Sequence, residues 1–280
     1  MKGRASSPAS SGNLGPGFDV LALALDLVCH VAAEPSDEWR ITQDGASYQP
    51  DPDDLVRRAV ASMTRGPFQL EIDNAIPLAR GLGSSSAVSV ASGAAAMRSL
   101  GQEPTSRSLF ELISELEGHP DNAAAAVYGG LVAVAGGVVR HLEVHRDLRI
   151  VMGIPDTPLP TAEARSVLSG GVDRAAAARN VARVVFLVDG LRTADPVALG
   201  AAGGDELHEE PRRDLSPVTE QLMAAARRAG AFHAAWSGAG PSAITFVPVA
   251  ACADVEAAMT SVLDGAGVVK RLDVATEGWR

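Results

Sequence analysis

The segment Pro77-Leu78-Ala79-Arg80-Gly81-Leu82-Gly83-Ser84-Ser85-Ser86 leads directly into an Ala-rich stretch that predicts a helix from Ser84 to about Leu100. Its glycines let the backbone approach a ligand closely, and the first N–H groups and the dipole of the helix favour an anion. Its serine hydroxyls can cap the helix, and one can reach a Mg²⁺ ion that bridges phosphates. The pattern is neither GxxxxGK followed by Ser or Thr nor GxGxxG, which excludes Walker-type and Rossmann-type loops. We interpret it as a phosphate-binding loop, with an N-capped helix after a flexible turn as the alternative.

Two further glycine-rich loops lie far away in the sequence. The first, SSGNLGPGFD (Ser10–Asp19), has glycines on both sides of a proline, and its Asn13 and Asp19 can aim polar groups into a shared cleft. The second, WSGAGPS (Trp236–Ser242), has more glycines than a plain hairpin turn needs. Each loop alone could be an ordinary tight turn. The three together indicate a ligand site much more specifically than any one of them.

The bulk composition restricts the class of ligand. The 280 residues carry a net charge of −10, which argues against a nucleic-acid or anionic-membrane partner. Lys2 and Lys270 are the only lysines, so a phosphate loop that depends on lysine is almost excluded. Cys29 and Cys252 form neither a disulfide framework nor a zinc site, and the N-terminus lacks a signal-peptide core. We expect a soluble cytoplasmic protein that binds a small molecule.

Local patterns predict an α+β fold in two domains. Strands are predicted over residues 21–31, 68–73, 131–139, 148–154, 232–236, 243–247 and 268–274. Helices are predicted over residues 84–100, 106–116, 161–168, 175–191, 216–229 and 251–263. Arg4–Ser7 has the composition of a poor strand. The prolines at 155, 158 and 160 predict a boundary between an N-terminal domain, 1–155, and a C-terminal domain, 156–280.

Four motifs, in this order and at these separations, resemble the GHMP kinase superfamily and most closely its homoserine kinase branch. They are PASSGNLGPGFD, IPLARGLGSSSA, EGHPDNAAAAVYGG (Glu117–Gly130) and WSGAGPS. The resemblance implies a ribosomal-S5-domain-2-like N-terminal domain and a ferredoxin-like C-terminal domain. It also implies an ATP-dependent kinase that phosphorylates homoserine in threonine biosynthesis, and it leaves a homodimer open.

The same resemblance implies roles for individual residues. The residues in positions that hold the acceptor amino acid are Asn13, Asp19, His119, Arg165 and Arg212. The residues in nucleotide-binding positions are the loop Pro77–Ser86, Asp54, Thr161, Gly238 and Gly240. An Arg fork matches a carboxylate bidentately, and a carboxylate such as that of Asp19 suits an ammonium group by charge.

Catalysis is expected to depend on positioning and charge neutralisation, since phosphoryl transfer has a loose transition state. Glu117 and Ser85 are the predicted Mg²⁺ ligands, and two protein oxygens suffice for this ion. Asp121 is the obvious candidate base, yet the resemblance places Asn122 at the reacting hydroxyl. We therefore favour alignment by Asn122, which cannot accept a proton.

Two departures from the family pattern bear on these roles. Gly12 stands where alanine is usual, and Asp54 replaces an asparagine near the adenine, which puts nucleotide preference in question. Two other functions remain open. One is a GHMP kinase for another small alcohol, such as threonine, mevalonate or a specialised hydroxy amino acid. The other is a non-catalytic binding protein of the same fold, which would have no need of a Mg²⁺ site.

Overall fold

The computed structural model of the chain describes residues 1–168 and 170–280. Its strands are β1 (Gly3–Asn13), β2 (Gly17–Pro35), β3 (Arg40–Gln43), β4 (Ala46–Tyr48), β5 (Phe68–Asn74), β6 (Leu131–Ala135), β7 (Val138–Leu142), β8 (Leu148–Pro155), β9 (His233–Trp236), β10 (Ala243–Pro248) and β11 (Gly267–Leu272). Its helices are α1 (Leu55–Met63), α2 (Ser84–Ser99), α3 (Ser106–Glu117), α4 (Asp121–Tyr128), α5 (Thr161–Ser166), α6 (Arg174–Thr193), α7 (Pro196–Ala201), α8 (Glu209–Arg212), α9 (Pro217–Arg228) and α10 (Cys252–Leu263). Over the described ranges, no helix combines the length and the apolar character that crossing a bilayer requires.

The first sheet is built on the long antiparallel pair β1–β2. It runs in the order β4-β3-β5-β2-β6-β7, with β1 attached to β2. In β5, Phe68, Leu70 and Ile72 are buried and the residues between them are exposed. Since side chains alternate between the two faces of a strand, this pattern places one face of β5 against the core and leaves the other in water.

Helix α2 packs directly on β1 and β2. It is buried on almost every side, and its Ala-rich sequence supplies the small residues that such a position needs. The approach is so close that a Cβ atom on Gly3 would come within 2.1 Å of the carbonyl oxygen of Ala95. This packing fixes the N-terminal end of α2 beside the loop between β1 and β2, where the N–H of Ser10 donates to the carbonyl of Leu82 at 3.0 Å.

The second sheet is antiparallel throughout and runs in the order β11-β8-β10-β9. Helices α9 and α10 pack on it. The sequence of elements β8, α9, β9, β10, α10, β11 is that of a ferredoxin-like unit, with α5 to α8 inserted after its first strand. Together with the helices on the first sheet, this arrangement confirms the predicted α+β class.

The second sheet begins earlier in the chain than the predicted domain division. Strand β8, Leu148–Pro155, pairs with both β10 and β11 and therefore lies in the middle of the second sheet. The prolines at 155, 158 and 160 mark the passage from that strand to α5. As a division into domains, the boundary at residue 155 stays a prediction.

Two predictions about strands are wrong. Residues 131–139 form β6 and part of β7, because the pair Gly136-Gly137 takes positive φ angles of 54° and 75° and turns the chain. Arg4–Ser7 lies within β1, although it has poor strand composition. Tertiary contacts account for this: Ser7 is fully buried, and its hydroxyl donates to the carbonyl of Ala126 at 3.0 Å.

After β11 the chain returns to the first sheet. The backbones of Arg280 and Ser6 exchange two hydrogen bonds of 2.8 and 2.9 Å. The indole Nε1 of Trp279 donates to the hydroxyl of Ser106 at 3.0 Å, and the guanidinium of Arg98 lies 4.7 Å from the ring centre. The tail therefore attaches the end of the second sheet to β1 and α3.

Candidate active site

One cleft of about 510 Å³ brings together residues from all four sequence motifs. Its walls come from the β1–β2 loop, the phosphate loop, the α3–α4 junction, α5, α8 and the β9–β10 loop. The predicted site residues that line it are Asn13, Asp19, Pro77, Leu78, Ala79, Arg80, Gly81, Leu82, Gly83, Ser84, Ser85, Ser86, Glu117, His119, Asp121, Asn122, Thr161, Arg165, Arg212 and Gly238. Residues separated by more than 220 positions in the sequence thus share one wall.

The phosphate loop needs its two central glycines. Gly81 has a φ of 73°, and a Cβ atom there would lie 2.0 Å from the carbonyl oxygen of Ser237. Gly83 is the N-cap of α2 in the left-handed conformation and offers no capping side chain. The first N–H groups of this 16-residue helix therefore remain available to an anion in the cleft.

The guanidinium of Arg80 anchors the loop through hydrogen bonds to backbone carbonyls. Its Nε donates to the carbonyl of Pro155 at 2.7 Å, and its Nη1 donates to that of Leu78 at 3.0 Å. Its Nη2 donates to the carbonyl of Asp156. Arg80 thus connects the phosphate loop to the end of β8.

The three glycine-rich loops are joined by hydrogen bonds. The hydroxyl of Ser237 contacts the hydroxyl of Ser11 at 2.9 Å and donates to the carbonyl of Gly81 at 2.6 Å. Asn13 has a φ of 69° and is buried, and its Nδ2 donates to the carbonyl of Gly238 at 2.8 Å. Its Oδ1 accepts from the N–H of Asp19 at 3.1 Å. Asn13 is therefore a cross-link between two loops as well as a wall of the cleft.

Asp19 and Arg165 form a bidentate ion pair across the cleft. The two hydrogen bonds measure 2.6 and 3.2 Å, and about a third of each side chain is exposed. The guanidinium of Arg165 also lies 5.6 Å from the ring centre of Phe18. An opposite-charge pair that is open to the cleft can exchange partners with a zwitterionic ligand.

Arg212 is almost completely buried, yet its guanidinium reaches the cleft. Its Nε donates to the carbonyl of Ala164 at 2.9 Å, and its Nη1 donates to His208 Nδ1 at 2.9 Å. Its plane lies 5.7 Å from the ring centre of Phe18, on which Arg165 also packs. Burial, together with the nearby charge of Arg165, lowers the pKa of Arg212 to about 10. Two cations so close together provide a strong local site for an anion.

Glu117 is the last residue of α3, and its carboxylate lies beside the serines that begin α2. Its Oε1 accepts from the hydroxyl of Ser85 at 2.7 Å, and its Oε2 accepts from that of Ser86. Burial raises the pKa of the Glu117 carboxyl, and the two serine hydroxyls oppose that rise. A carboxylate and a hydroxyl are hard oxygen donors, which is the donor set that Mg²⁺ prefers. Glu117 and Ser85 therefore fit the predicted ion.

The α3–α4 junction places three polar side chains at the centre of the cleft. Asp121 is buried and contacts His119 Nδ1 at 3.2 Å. Burial lowers the pKa of His119, but the hydrogen bond to Asp121 and the charges of Asp121 and Glu117 outweigh it and leave that pKa raised. The Oδ1 of Asn122 accepts from the hydroxyl of Ser10 at 2.9 Å, which leaves its Nδ2 as a donor.

The close packing of these groups against β1 requires glycine at position 12. A Cβ atom on Gly12 would lie 2.5 Å from Oδ2 of Asp121 and 3.0 Å from Nδ2 of Asn122. The absence of a side chain therefore permits the carboxylate of Asp121 to pack against β1.

Comparisons with known proteins agree with this geometry. Two family models match, one described as GHMP kinases N terminal domain over residues 54–130 and one as GHMP kinases C terminal over residues 187–263. The homoserine kinase of Moorella thermoacetica is 39% identical, with 85% of each chain covered. That of a Synechococcus species is 36% identical, with 98% of this chain and 95% of its own covered. The chain belongs to the GHMP kinases, among the homoserine kinases.

The solved structures support the same assignment. The crystal structure of homoserine kinase from Cytophaga hutchinsonii gives a TM-score of 0.88 at 28% identity, over 100% of this chain and 96% of that one. The resemblance based on the four motifs is thus confirmed. This GHMP kinase is an ATP-dependent enzyme that phosphorylates a small molecule.

Two predicted nucleotide residues of the kinase do not line the cleft. Asp54 is the N-cap of α1, where its carboxylate accepts from the N–H of Arg57 at 3.1 Å and from the hydroxyl of Tyr48 at 3.2 Å. Gly240 belongs to the β9–β10 loop, and a Cβ atom there would come within 2.5 Å of the ring of Trp236. The neighbouring residues Leu55 and Val56 line the cleft instead of Asp54.

Sequence reasoning missed three residues that organise the kinase's cleft. Phe18 packs on both guanidiniums, Ser237 joins three loops, and His208 contacts Arg212. Phe18 and Ser237 lie inside the SSGNLGPGFD and WSGAGPS motifs, and their place in those motifs is the only sign of their role in the sequence. His208 lies four residues before Arg212, which on a helix brings the two side chains to the same face.

Proposed function

We propose that the chain transfers the γ-phosphoryl group of MgATP to the side-chain hydroxyl of L-homoserine, giving O-phospho-L-homoserine in threonine biosynthesis. The observation that carries the proposal is the convergence of two guanidiniums and one carboxylate on the cleft that the phosphate loop lines. Homoserine offers the complementary set: a carboxylate, an ammonium and a primary hydroxyl. The relatives described above, which are named homoserine kinases, support the same acceptor.

The nucleotide phosphates are assigned to the N-terminal end of α2. The free N–H groups of its first turn and the close backbone approach at Gly81 and Gly83 suit phosphate oxygens. Glu117 and Ser85 would hold Mg²⁺, which would neutralise negative charge on the phosphates. Within the described residues no cluster of three or more His, Cys, Asp or Glu could hold a metal, and a nucleotide-bound Mg²⁺ needs none.

The acceptor is assigned to the Asp19–Arg165 pair and Arg212. Its ammonium would take Asp19 and its carboxylate would take Arg165 and Arg212, so that the ligand replaces one ion pair with two. A purely anionic alcohol such as mevalonate would draw Arg165 away from Asp19 and leave that carboxylate without a cation. For this reason the arrangement favours an amino acid over mevalonate.

In the reaction, the acceptor oxygen forms a bond to the γ-phosphorus. The bond between the γ-phosphorus and the β–γ bridging oxygen breaks, and that oxygen leaves with ADP. The hydroxyl proton leaves with the new phosphate ester or with solvent. Asn122 can donate from Nδ2 to orient the hydroxyl oxygen, and its amide cannot take up the proton. Asp121 is already engaged with His119, which favours alignment over an obligatory protein base.

The test is an ADP-release assay with L-homoserine, L-threonine and mevalonate side by side, with ³¹P NMR identification of the product. We expect the highest kcat/KM for homoserine and a phosphate ester on its side-chain oxygen. A higher kcat/KM for either of the other alcohols would contradict homoserine as the acceptor. Folded protein that releases no ADP with any of them would point to a binding protein.

The setting of the enzyme is part of the proposal. We place it in the cytoplasm, because two buried free thiols, Cys29 and Cys252, suit a reducing compartment. A homodimer stays a prediction, which sedimentation equilibrium of the full chain would decide.

A further inference from the structure

His208 is a buried imidazole next to the cleft, without a direct place in the acceptor site proposed above. It has no exposed surface, and its ring stacks on Phe18 with the ring centres 5.2 Å apart and an angle of 21° between the planes. Its Nε2 lies 2.8 Å from the carbonyl oxygen of Gly15, and its Nδ1 lies 2.9 Å from Nη1 of Arg212. The ring therefore joins the β1–β2 loop to α8.

These two contacts determine the tautomer of the ring. A guanidinium can only donate, so Nδ1 of His208 must accept and carries no proton. The remaining proton lies on Nε2, where it donates to the carbonyl of Gly15. Burial lowers the pKa of His208 to about 4, so the neutral form that this geometry requires is the form present near neutral pH.

The contacts of Arg212 show what His208 does for it. Nε is bound by the carbonyl of Ala164, and the two hydrogens of Nη1 are directed to His208 and, at 3.3 Å, to the carbonyl of Gly238. Among the described residues, Nη2 donates no hydrogen bond to the protein, and Arg212 lines the cleft. The protein therefore holds one side of the guanidinium and leaves the Nη2 side for a ligand.

The segment that carries His208 is itself held firmly. The buried carboxylate of Asp205 accepts from the backbone N–H groups of His208 at 2.6 Å and Glu209 at 2.9 Å. The carboxyl of Glu209 accepts from the backbone N–H of Trp236 at 2.7 Å. These bonds fix α8 against the strand that leads into the β9–β10 loop.

We propose that His208 is a positioning residue that fixes the guanidinium of Arg212 in the orientation that binds the acceptor's carboxylate. The inference rests on the proposed function and adds to it a residue that acts through Arg212. A neutral hydrogen-bond acceptor is the group needed here, since a cationic side chain would repel Arg212 and an apolar one would leave one hydrogen of Nη1 unpaired in a buried position.

Two variants separate the two hydrogen bonds of the ring. His208→Asn places its carbonyl oxygen where Nδ1 lies and keeps the acceptor for Arg212. His208→Gln places its amide nitrogen where Nε2 lies and keeps the donor for Gly15. We expect His208→Gln to raise the KM for homoserine by roughly 10- to 100-fold, as a misplaced binding group does, while His208→Asn raises it only a few-fold.

A merely structural role would give a different result. It would move kcat and the KM for ATP together with the KM for homoserine, and would make the two variants equivalent. Either outcome would overturn the proposal. A second check introduces His208→Gln into an Arg212→Met background, where its effect on kcat/KM should shrink to about 2-fold if His208 acts through Arg212. An undiminished effect in that background would contradict the inference.

A measurement on the unaltered enzyme keeps the test independent of variant folding. ¹⁵N NMR of the full chain labelled in histidine should show an unprotonated Nδ1 and a protonated Nε2 for His208. Addition of homoserine should shift the Nδ1 resonance, and addition of ADP should not. A protonated Nδ1 overturns the proposal. An enzyme with this tautomer that does not phosphorylate homoserine would instead refute the proposed function.

Discussion

Asp121 is a buried carboxylate of the cleft, and its role can be separated from that of Asn122. A general base contributes about 10²- to 10⁴-fold to rate, so the loss of an obligatory base would be large. Because Asp121 is hydrogen-bonded to His119, we expect Asp121→Asn to lower kcat by less than about 10-fold. The measurement is steady-state kcat at saturating ATP and homoserine.

The matched control is Asn122→Ala, which removes the amide that would orient the hydroxyl. We expect it to lower kcat more than Asp121→Asn does. A drop of 100-fold or more in Asp121→Asn, with Asn122→Ala nearly unaffected, would assign the proton to Asp121 instead.

Glu209 gives a prediction about stability at the same scale. Burial raises its pKa to about 8, from an ordinary value of 4.5. The folded chain thus keeps a proton that the unfolded chain releases, so the free energy of unfolding falls as pH rises from about 4.5 to 8 and levels off above. In Glu209→Gln the amide oxygen can still accept from the backbone N–H of Trp236, and position 209 no longer has a titratable group. We expect this variant to exceed the unaltered chain in stability by roughly 1–4 kcal/mol near pH 8.5, and by much less near pH 5.

Urea unfolding at both pH values measures that difference. Glu210→Gln is the control, because the neighbouring Glu210 is exposed. An advantage of Glu209→Gln that is the same at both pH values would mean that Glu209 does not titrate in this range.

At the scale of elements, α1 allows the question about Asp54 to be tested. Its carboxylate caps the helix, and Asn and Asp cap helices about equally well. We expect Asp54→Asn to leave both stability and ATP affinity nearly unchanged, and Asp54→Ala to cost about 0.5–2 kcal/mol of stability. Thermal unfolding and calorimetric titration with ATP provide the two measurements. A clear gain of ATP affinity in Asp54→Asn alone would place this side chain at the nucleotide.

The elements that the sequence predicts well are those with a strong local pattern. Helix α2 has its predicted position because a long run of small, helix-compatible residues follows the Gly-rich turn. Strand β5 has its predicted position because burial of one face leaves an alternating pattern of apolar and polar residues. Short elements such as α7 and β3 were missed, since elements of so few residues carry too little periodicity to be recognised. β1 was misjudged at Arg4–Ser7 because its pairing with β2 and its contact with α4 outweigh the weak strand propensity of these residues.

At the scale of the whole molecule, the sequence can name the site residues but not their partners. Asn13, Asp19 and Arg212 were predicted as ligand contacts from motif positions, and all three line the cleft. Their bonds to Gly238, Arg165 and His208 depend on how two sheets meet, which no local pattern contains. The same limit applies near residue 155, where the prolines predict a boundary, whereas the place of β8 in the second sheet follows only from its pairing with β10 and β11.

The return of the chain from β11 to the first sheet gives a prediction about the whole fold. Trp279 donates to Ser106, packs on Arg98 and lies against the main core, far along the chain from every residue of the cleft. Trp279→Ala should therefore lower the free energy of unfolding by about 2–4 kcal/mol, as the loss of a large packed side chain does. Since Trp279 is outside the residues that line the cleft, both KM values should stay within about 2-fold of the unaltered enzyme.

Val268→Ala, at an exposed position on β11, controls for the loss of side-chain volume elsewhere. Chemical unfolding and steady-state kinetics on the same preparations decide the matter. A loss of activity without a loss of stability would mean that the tail acts on the cleft and does more than attach one sheet to the other.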